Sequence, residues 1–109
     1  AHLRRVMSDD VGVVRDARGL KRALAQIRDI AADASGDAVV ANMALTARFI
    51  TAAALVRKES RGGHFRSDYA AAIPSLARRS FMTLGDVEAI EAAAMTRPRR
   101  RKTALELAL

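Results

Sequence analysis

The 109-residue sequence predicts an all-α domain: an antiparallel three-helix bundle, spectrin-repeat-like, followed by a C-terminal loop and a short extra helix. Alanine supplies 24 residues, whereas aromatic residues make up only 4% and tryptophan is absent. Such a composition suits closely packed helices better than a thick sheet sandwich. Apolar residues also recur at the helical period. We assign residues 1–69 to the three-helix domain and residues 70–109 to the loop, short helix and basic tail.

The first helix is predicted at residues 3–7, where three apolar residues share one face: Leu3, Val6 and Met7. Residues 8–10 and Gly12 are expected to interrupt it. The valines around Gly12 are expected to be buried where helices cross: Val11, Val13 and Val14.

Asp16 is the predicted N-cap of the second helix, and Gly36 is suited to a left-handed C-terminal cap. The apolar face between them lies at helical spacing: Leu20, Ala23, Leu24, Ile27, Ile30 and Ala31. This pattern indicates one buried face and one charged face.

The third helix is expected to begin after Asp37 and to run to about Ser60. Between Ala38 and Val56 the only charge is Arg48. Two faces are apolar, which indicates a central helix flanked on both sides. The first is formed by Val39, Met43, Ile50 and Ala53, and the second by Ala41, Leu45, Phe49, Ala52 and Val56. A membrane span is disfavoured by the polar residues of this segment: Asn42, Thr46, Arg48 and Thr51.

The C-terminal third contains weaker signals. Residues 57–69 predict a polar turn, and Pro74 favours a loop. Thr83 and Asp86 have the spacing of a capping box, which predicts a short helix ending near Met95. The basic run at 97–102 and a frayed helical tail at 103–109 follow.

Composition excludes several kinds of site. Cysteine is absent, so a disulfide scaffold, a thiol nucleophile and a zinc–thiolate site are excluded. The net charge of +7 is concentrated at the end of the chain, because residues 97–109 contribute +4 of it. A short basic run without interleaved aromatic residues favours a solvated tail over a nucleic-acid surface.

The richest stretch for chemistry is Arg57–Tyr69, which combines basic side chains, two carboxylates and His64. One interpretation is an anion or carboxylate site in which His64 moves a proton. The favoured interpretation is a structural ion-pair network at a helix C-terminus. A catalytic triad of Ser60 or Ser67 with His64 and Asp68 is disfavoured by their closeness in sequence. His2 lacks ligand spacing to His64, so no metal site is expected.

Residues 59–69, with the sequence ESRGGHFRSDY, resemble a segment in the C-terminal helical domain of the succinate dehydrogenase/fumarate reductase flavoprotein family. The opening at residues 3–20 and the Asn42-Met43 pair before the alanine-rich helix agree in order and spacing. The ending Arg66-Ser67-Asp68 favours the L-aspartate oxidase branch. Ala70 stands where the family commonly has proline.

The resemblance implies a cytoplasmic parent enzyme that uses FAD to oxidise L-aspartate to iminoaspartate for NAD biosynthesis. It implies that FAD and the catalytic residues lie in other domains, so this chain would be catalytically silent and hold no cofactor. Its partner would be the flavin-binding domain of the same polypeptide, with no membrane contact. The candidate inter-domain contacts are Arg57, Glu59, Arg61, His64, Arg66 and Asp68.

Three alternatives stay open at this point. The chain could be the corresponding domain of a succinate dehydrogenase or fumarate reductase flavoprotein subunit. It could also be a basic helical module that binds nucleic acid through residues 97–102, or a self-contained hydrolase that uses His64.

Overall fold

The computed structural model describes residues 1–34 and 36–95, and these residues form four α-helices. The helices are α1 (His2–Asp10), α2 (Ala17–Asp33), α3 (Ala38–Val56) and α4 (Leu84–Met95), with a single 3-10 turn at Pro74–Leu76 between α3 and α4. The described residues contain no β-strand. The predicted all-α class is therefore confirmed. The basic run at 97–102 and the predicted tail at 103–109 lie outside the described residues.

Helix α2 is the centre of the packing, because α1, α3 and α4 all contact it. Its apolar face is completely buried at Leu20, Ala23, Leu24 and Ile27. Helix α1 packs mainly on α2, and α4 packs on both α2 and α3. The three-helix arrangement of α1–α3, and the domain boundary after residue 69, stay predictions.

Three helix starts follow the predicted capping chemistry. The Asp16 carboxylate accepts a hydrogen bond from the Gly19 amide at 2.7 Å, and the Asp37 carboxylate accepts from the Val39 and Val40 amides. Thr83 and Asp86 exchange side-chain and amide hydrogen bonds across the first turn of α4. Each cap satisfies amides that have no partner within the helix.

One predicted helix end and one predicted cap were wrong. Helix α3 ends at Val56, four residues before Ser60, because Arg57 takes an extended conformation. Helix α2 ends at Asp33 with Ala34 as its C-cap, and Gly36, with a φ of 102°, lies two residues beyond the cap.

The predicted interruption at residues 8–10 was also wrong, since α1 continues through Asp10. Asp10 is buried and forms a two-point ion pair with Arg22 of α2, which fixes the last turn of α1. Among the neighbouring valines only Val11 is buried, whereas Val13 and Val14 are 84% and 61% exposed. The linker is held instead by two backbone hydrogen bonds: the Arg15 amide donates to the Phe65 carbonyl, and the Ser67 amide donates to the Arg15 carbonyl.

Helix α3 buries small residues and exposes larger ones, contrary to the predicted burial of two apolar stripes. Its buried residues are Ala44, Ala47, Thr51, Ala52 and Ala54. Val39, Met43, Leu45, Ile50 and Val56 are all exposed. The small side chains let α2 and α4 pack closely against α3. The bulky residues lie on the other faces of α3, which the described helices do not cover.

Helix α3 is also the one helix among the described residues that is long and apolar enough to cross a membrane by length and composition. Buried core helices pass the same test, so this finding is weak support for a span. Arg48 of α3 forms a two-point ion pair with buried Glu91 of α4, at 2.7 and 3.0 Å. The pair explains the one charge of α3 as part of a polar seam between two packed helices.

Candidate functional site: the Arg57–Asp68 cluster

The cluster begins at the C-terminal end of α3, where the chain leaves the helix and turns back. The main chains of Arg61 and His64 exchange hydrogen bonds of 2.8 and 3.0 Å, which closes a tight turn around Gly62 and Gly63. Gly62 has a φ of 57°, a conformation that favours glycine. This turn returns residues 64–68 to the end of α3 and to the linker before α2.

Arg66 is the buried centre of the cluster, with an exposed fraction of 1%. Its Nη1 donates to the Ala54 and Leu55 carbonyls in the last turn of α3, at 3.0 and 2.8 Å. Its Nε and Nη2 donate to the two carboxylate oxygens of Asp68. The guanidinium therefore caps α3 with positive charge at the negative end of the helix dipole.

Asp68 extends this connection to α2. Its Oδ2 also accepts the amide hydrogen of Ala17, the first residue of α2, at 3.1 Å. The hydrogen bonds from Arg66 outweigh the opposing effect of desolvation and, with the Ala17 amide, lower the pKa of Asp68 to about 2. One carboxylate thus links the end of α3 to the start of α2.

Glu59 is a fully buried carboxylate with three donors around it. Arg57 and Arg61 bind its two oxygens, and the Ile73 amide donates to Oε1 at 3.0 Å. Burial acts to raise the pKa of Glu59, but the Ile73 amide and the two guanidinium groups prevail, so its pKa lies below the ordinary value. Glu59 thereby holds the returning segment 71–73 against the end of α3.

His64 joins the cluster to the linker between α1 and α2. Its Nδ1 lies 2.9 Å from Nη1 of Arg15, and its Nε2 lies 3.0 Å from the carbonyl oxygen of Arg57. A guanidinium can only donate and a carbonyl can only accept, so the bonds require the neutral tautomer with hydrogen on Nε2. Both ring nitrogens are occupied within the domain.

The geometry gives no support to a triad. Ser60 Oγ donates to the Tyr69 and Arg66 carbonyls, and Asp68 is bound to Arg66 and Ala17, so neither residue is bonded to His64. Among residues 1–34 and 36–95, no group of three potential ligands is placed to hold a metal ion. The arrangement pairs buried charged groups with opposite charges and supplies hydrogen-bond partners to the ends of helices.

The six candidate contact residues form two hydrogen-bonded groups, Arg57 with Glu59, Arg61 and His64, and Arg66 with Asp68. Sequence reasoning missed the role of Arg15, whose Nε also donates to the carbonyls of Val11 and Gly12. Ser60 was also missed as an anchor: its hydroxyl accepts the Arg66 amide at 2.9 Å. The only sequence signal that included Arg15 was the family resemblance of residues 3–20, and it did not indicate His64 as the partner of Arg15. Participation of the six residues in inter-domain contacts stays a prediction.

Comparison with known proteins agrees with the resemblance. The family model described as the fumarate reductase flavoprotein C-terminal domain matches residues 37–83. An L-aspartate oxidase from Rhodospirillum rubrum is 49% identical over 81% of this chain, and one from Caulobacter vibrioides is 48% identical over 75%. An uncharacterised FAD-dependent oxidoreductase from Methanocaldococcus jannaschii is 38% identical over 62%. No solved structure matches.

The matched region is a small part of each relative. The chain spans 31% of the R. rubrum protein, 15% of the C. vibrioides protein and 14% of the M. jannaschii protein. The segment that the family model matches begins at Asp37, the N-cap of α3, and ends just before α4, so it covers α3 and the cluster but not α4. The chain therefore belongs to the C-terminal helical domain family of the succinate dehydrogenase/fumarate reductase flavoproteins, in its L-aspartate oxidase branch.

Proposed function

We propose that this chain is the C-terminal helical domain of an FAD-dependent enzyme that oxidises L-aspartate to iminoaspartate in cytoplasmic NAD biosynthesis. The observation that carries the proposal is the 49% identity to an L-aspartate oxidase over 81% of the chain. The chain spans only 31% of that relative, which leaves ample length for a flavin-binding domain.

The described residues do not fit a flavin site of the dinucleotide-binding type. Such a site needs a strand, a glycine-rich turn and a helix in succession, and the described residues contain helices and turns only. We therefore assign FAD to another part of the polypeptide and derive no flavin step for this chain. Its own contribution is to pack on the flavin-binding domain and brace it.

The internal network supports a bracing role. Arg66, Asp68, Glu59 and His64 tie together the end of α3, the start of α2 and the returning loop. Some polar groups of this network remain accessible for contact with another domain, because the side chains of Arg61 and Asp68 are 40% and 31% exposed. We propose that these exposed groups form the contact with the flavin-binding domain, on a surface that the buried groups hold rigid.

A chimera tests the proposal. Residues 1–109 replace the matching segment of the R. rubrum relative, and flavin retention and L-aspartate oxidation are measured. We expect both to persist in the chimera, and both to fall when the segment is deleted. Oxidation of succinate in place of L-aspartate would contradict the assigned branch. Loss of both activities from a chimera that folds would contradict the bracing role.

The contact residues are tested in the same chimera with a matched pair of exposed arginines. Arg61→Ala is expected to weaken flavin retention; thermal stability does not report on the contact, because Arg61 also pairs with buried Glu59 inside the domain. Arg79→Ala, which removes another exposed positive charge, is expected to leave flavin retention unchanged. Equal behaviour of the two variants would show that Arg61 does not contact the flavin-binding domain.

A further inference from the structure

A cleft lies beside Arg66 and is lined in part by the end of α3. The ends of α3 and α4 and the start of α2 enclose a cleft of about 670 Å³, here called the α3–α4 cleft. Its apolar wall includes Val56 and Ile90, and its polar rim includes Lys21, Lys58 and Tyr69. This volume lies within the range of about 300–1,000 Å³ found for small-molecule sites.

The charges around the cleft are unbalanced. Lys21 and Lys58 are exposed, and in the described part of the chain neither ammonium has an ion-pair partner. Among the residues that the structure describes, none that lines the cleft is acidic. Arg66, which also lines it, is already neutralised by its two-point pair with Asp68. The two lysines therefore supply positive charge that a ligand carboxylate would complement.

Tyr69 gives the cleft a fixed aromatic surface. The Arg66 guanidinium carbon lies 5.1 Å from the centroid of the Tyr69 ring, a cation–π contact that holds the ring in place. Tyr69 nevertheless stays 39% exposed. The ring, Val56 and Ile90 together offer apolar area in the same cleft as the two lysines.

We propose that the α3–α4 cleft binds a small carboxylic acid with an apolar tail. The carboxylate lies between the ammonium groups of Lys21 and Lys58, and the tail lies against Tyr69, Val56 and Ile90. A polar acid lacks the tail that would contact the apolar wall, and an apolar cation lacks the negative charge that would pair with the lysines. The proposal is independent of the parent enzyme's reaction, because it uses groups of this chain alone.

Calorimetric titration of the 109-residue chain with hexanoate tests this proposal. For a ligand with eight heavy atoms we expect a Kd on the order of 1 mM. Acetate, which lacks the tail, and hexylammonium, which reverses the charge, are expected to bind at least tenfold more weakly. Equal binding of hexanoate and hexylammonium, or no binding of hexanoate, would overturn the proposal.

Variants locate the binding. The double variant K21Q/K58Q is expected to weaken hexanoate binding at least tenfold, whereas K21R/K58R, which keeps both charges, retains it. Arg28→Gln removes an exposed charge of α2 outside the cleft and is expected to leave binding unchanged. Thermal melting of each variant reports its folding. Unchanged hexanoate affinity in K21Q/K58Q would show that the cleft is not the binding site.

Discussion

Arg66 and Asp68 are joined by two parallel hydrogen bonds, 2.8 Å from Nε to Oδ1 and 2.7 Å from Nη2 to Oδ2. The remaining guanidinium nitrogen binds two carbonyls of α3, and the carboxylate binds the first amide of α2. This pair therefore connects two helix ends that the chain places almost 40 residues apart, and the stability of the domain depends on it.

Arg66→Ala is expected to be among the most destabilising substitutions in the domain. It leaves the Asp68 carboxylate and two α3 carbonyls without their donor, and breaking a buried pair in this way costs about 3–5 kcal/mol. Chemical denaturation measures the free energy of unfolding. Arg79→Ala, at an exposed position, serves as control and is expected to change it by less than about 0.5 kcal/mol. A similar small change for Arg66→Ala would contradict the central role of the pair.

The stability of the domain is expected to fall in acid through Asp68. Its pKa is about 2 in the folded chain and 3.8 ordinarily. Because the folded pKa is the lower one, the carboxylate stabilises the fold fully above the ordinary pKa. This contribution is lost as the pH falls through the folded value.

Asp68→Asn isolates this effect. The difference in unfolding free energy between wild type and variant is expected to be constant at neutral pH and to shrink between about pH 4 and pH 2. Glu59, whose pKa is also lowered, remains in both proteins and cancels in the comparison. A difference that grows in acid would show that the sign of the shift is wrong.

His64 is expected to populate the tautomer with hydrogen on Nε2, because Arg15 can only donate to Nδ1 and the Arg57 carbonyl can only accept. Two-dimensional ¹⁵N–¹H NMR of the imidazole at neutral pH distinguishes the tautomers by their nitrogen shifts. His2, which is exposed near the start of α1, provides an internal reference. A hydrogen on Nδ1 of His64 would contradict the contact with Arg15.

Gly12→Ala and Gly63→Ala are expected to have opposite outcomes. A Cβ at Gly12 would lie 2.5 Å from the backbone carbonyl oxygen of Ser8, whereas a Cβ at Gly63 would meet nothing within 4 Å. Gly12→Ala is therefore expected to destabilise the domain by about 1–3 kcal/mol. Gly63→Ala is expected to be neutral or slightly stabilising, since it restricts the unfolded chain. Thermal melting of both variants tests this difference in stability, and equal melting temperatures would contradict the close approach at Gly12.

The Arg48–Glu91 pair is expected to act as a buried polar seam between α3 and α4. Glu91→Ala leaves Arg48 without its partner and is expected to cost about 1.5–3 kcal/mol. The double variant R48M/E91L is expected to recover most of this loss, because an apolar pair of similar volume needs no desolvation. Denaturation of R48M, E91L and R48M/E91L completes the cycle, and additive losses would show that the two side chains do not interact.

Local sequence patterns were sufficient to predict where three helices begin and to which family the chain belongs. Asp16, Asp37 and Thr83 cap helices as predicted because capping depends on residues only two or three positions apart. The 59–69 segment carried the family resemblance because its residues form one contiguous turn. Five of the six candidate residues lie in this segment and could be grouped from sequence for the same reason, and Arg57 precedes it by two positions.

Only the tertiary structure decided which charges pair and which apolar faces are buried. Arg15 and His64 are 49 positions apart, and Arg48 and Glu91 are 43 apart, distances over which no local periodicity specifies a partner. The exposure of Val13 and Val14 likewise depends on the distant segment that pairs with Arg15, and the exposure of the bulky residues of α3 depends on which of its faces the neighbouring helices cover. Hydrophobic patterning determines that a face is apolar, but the packing of distant segments determines whether anything covers it.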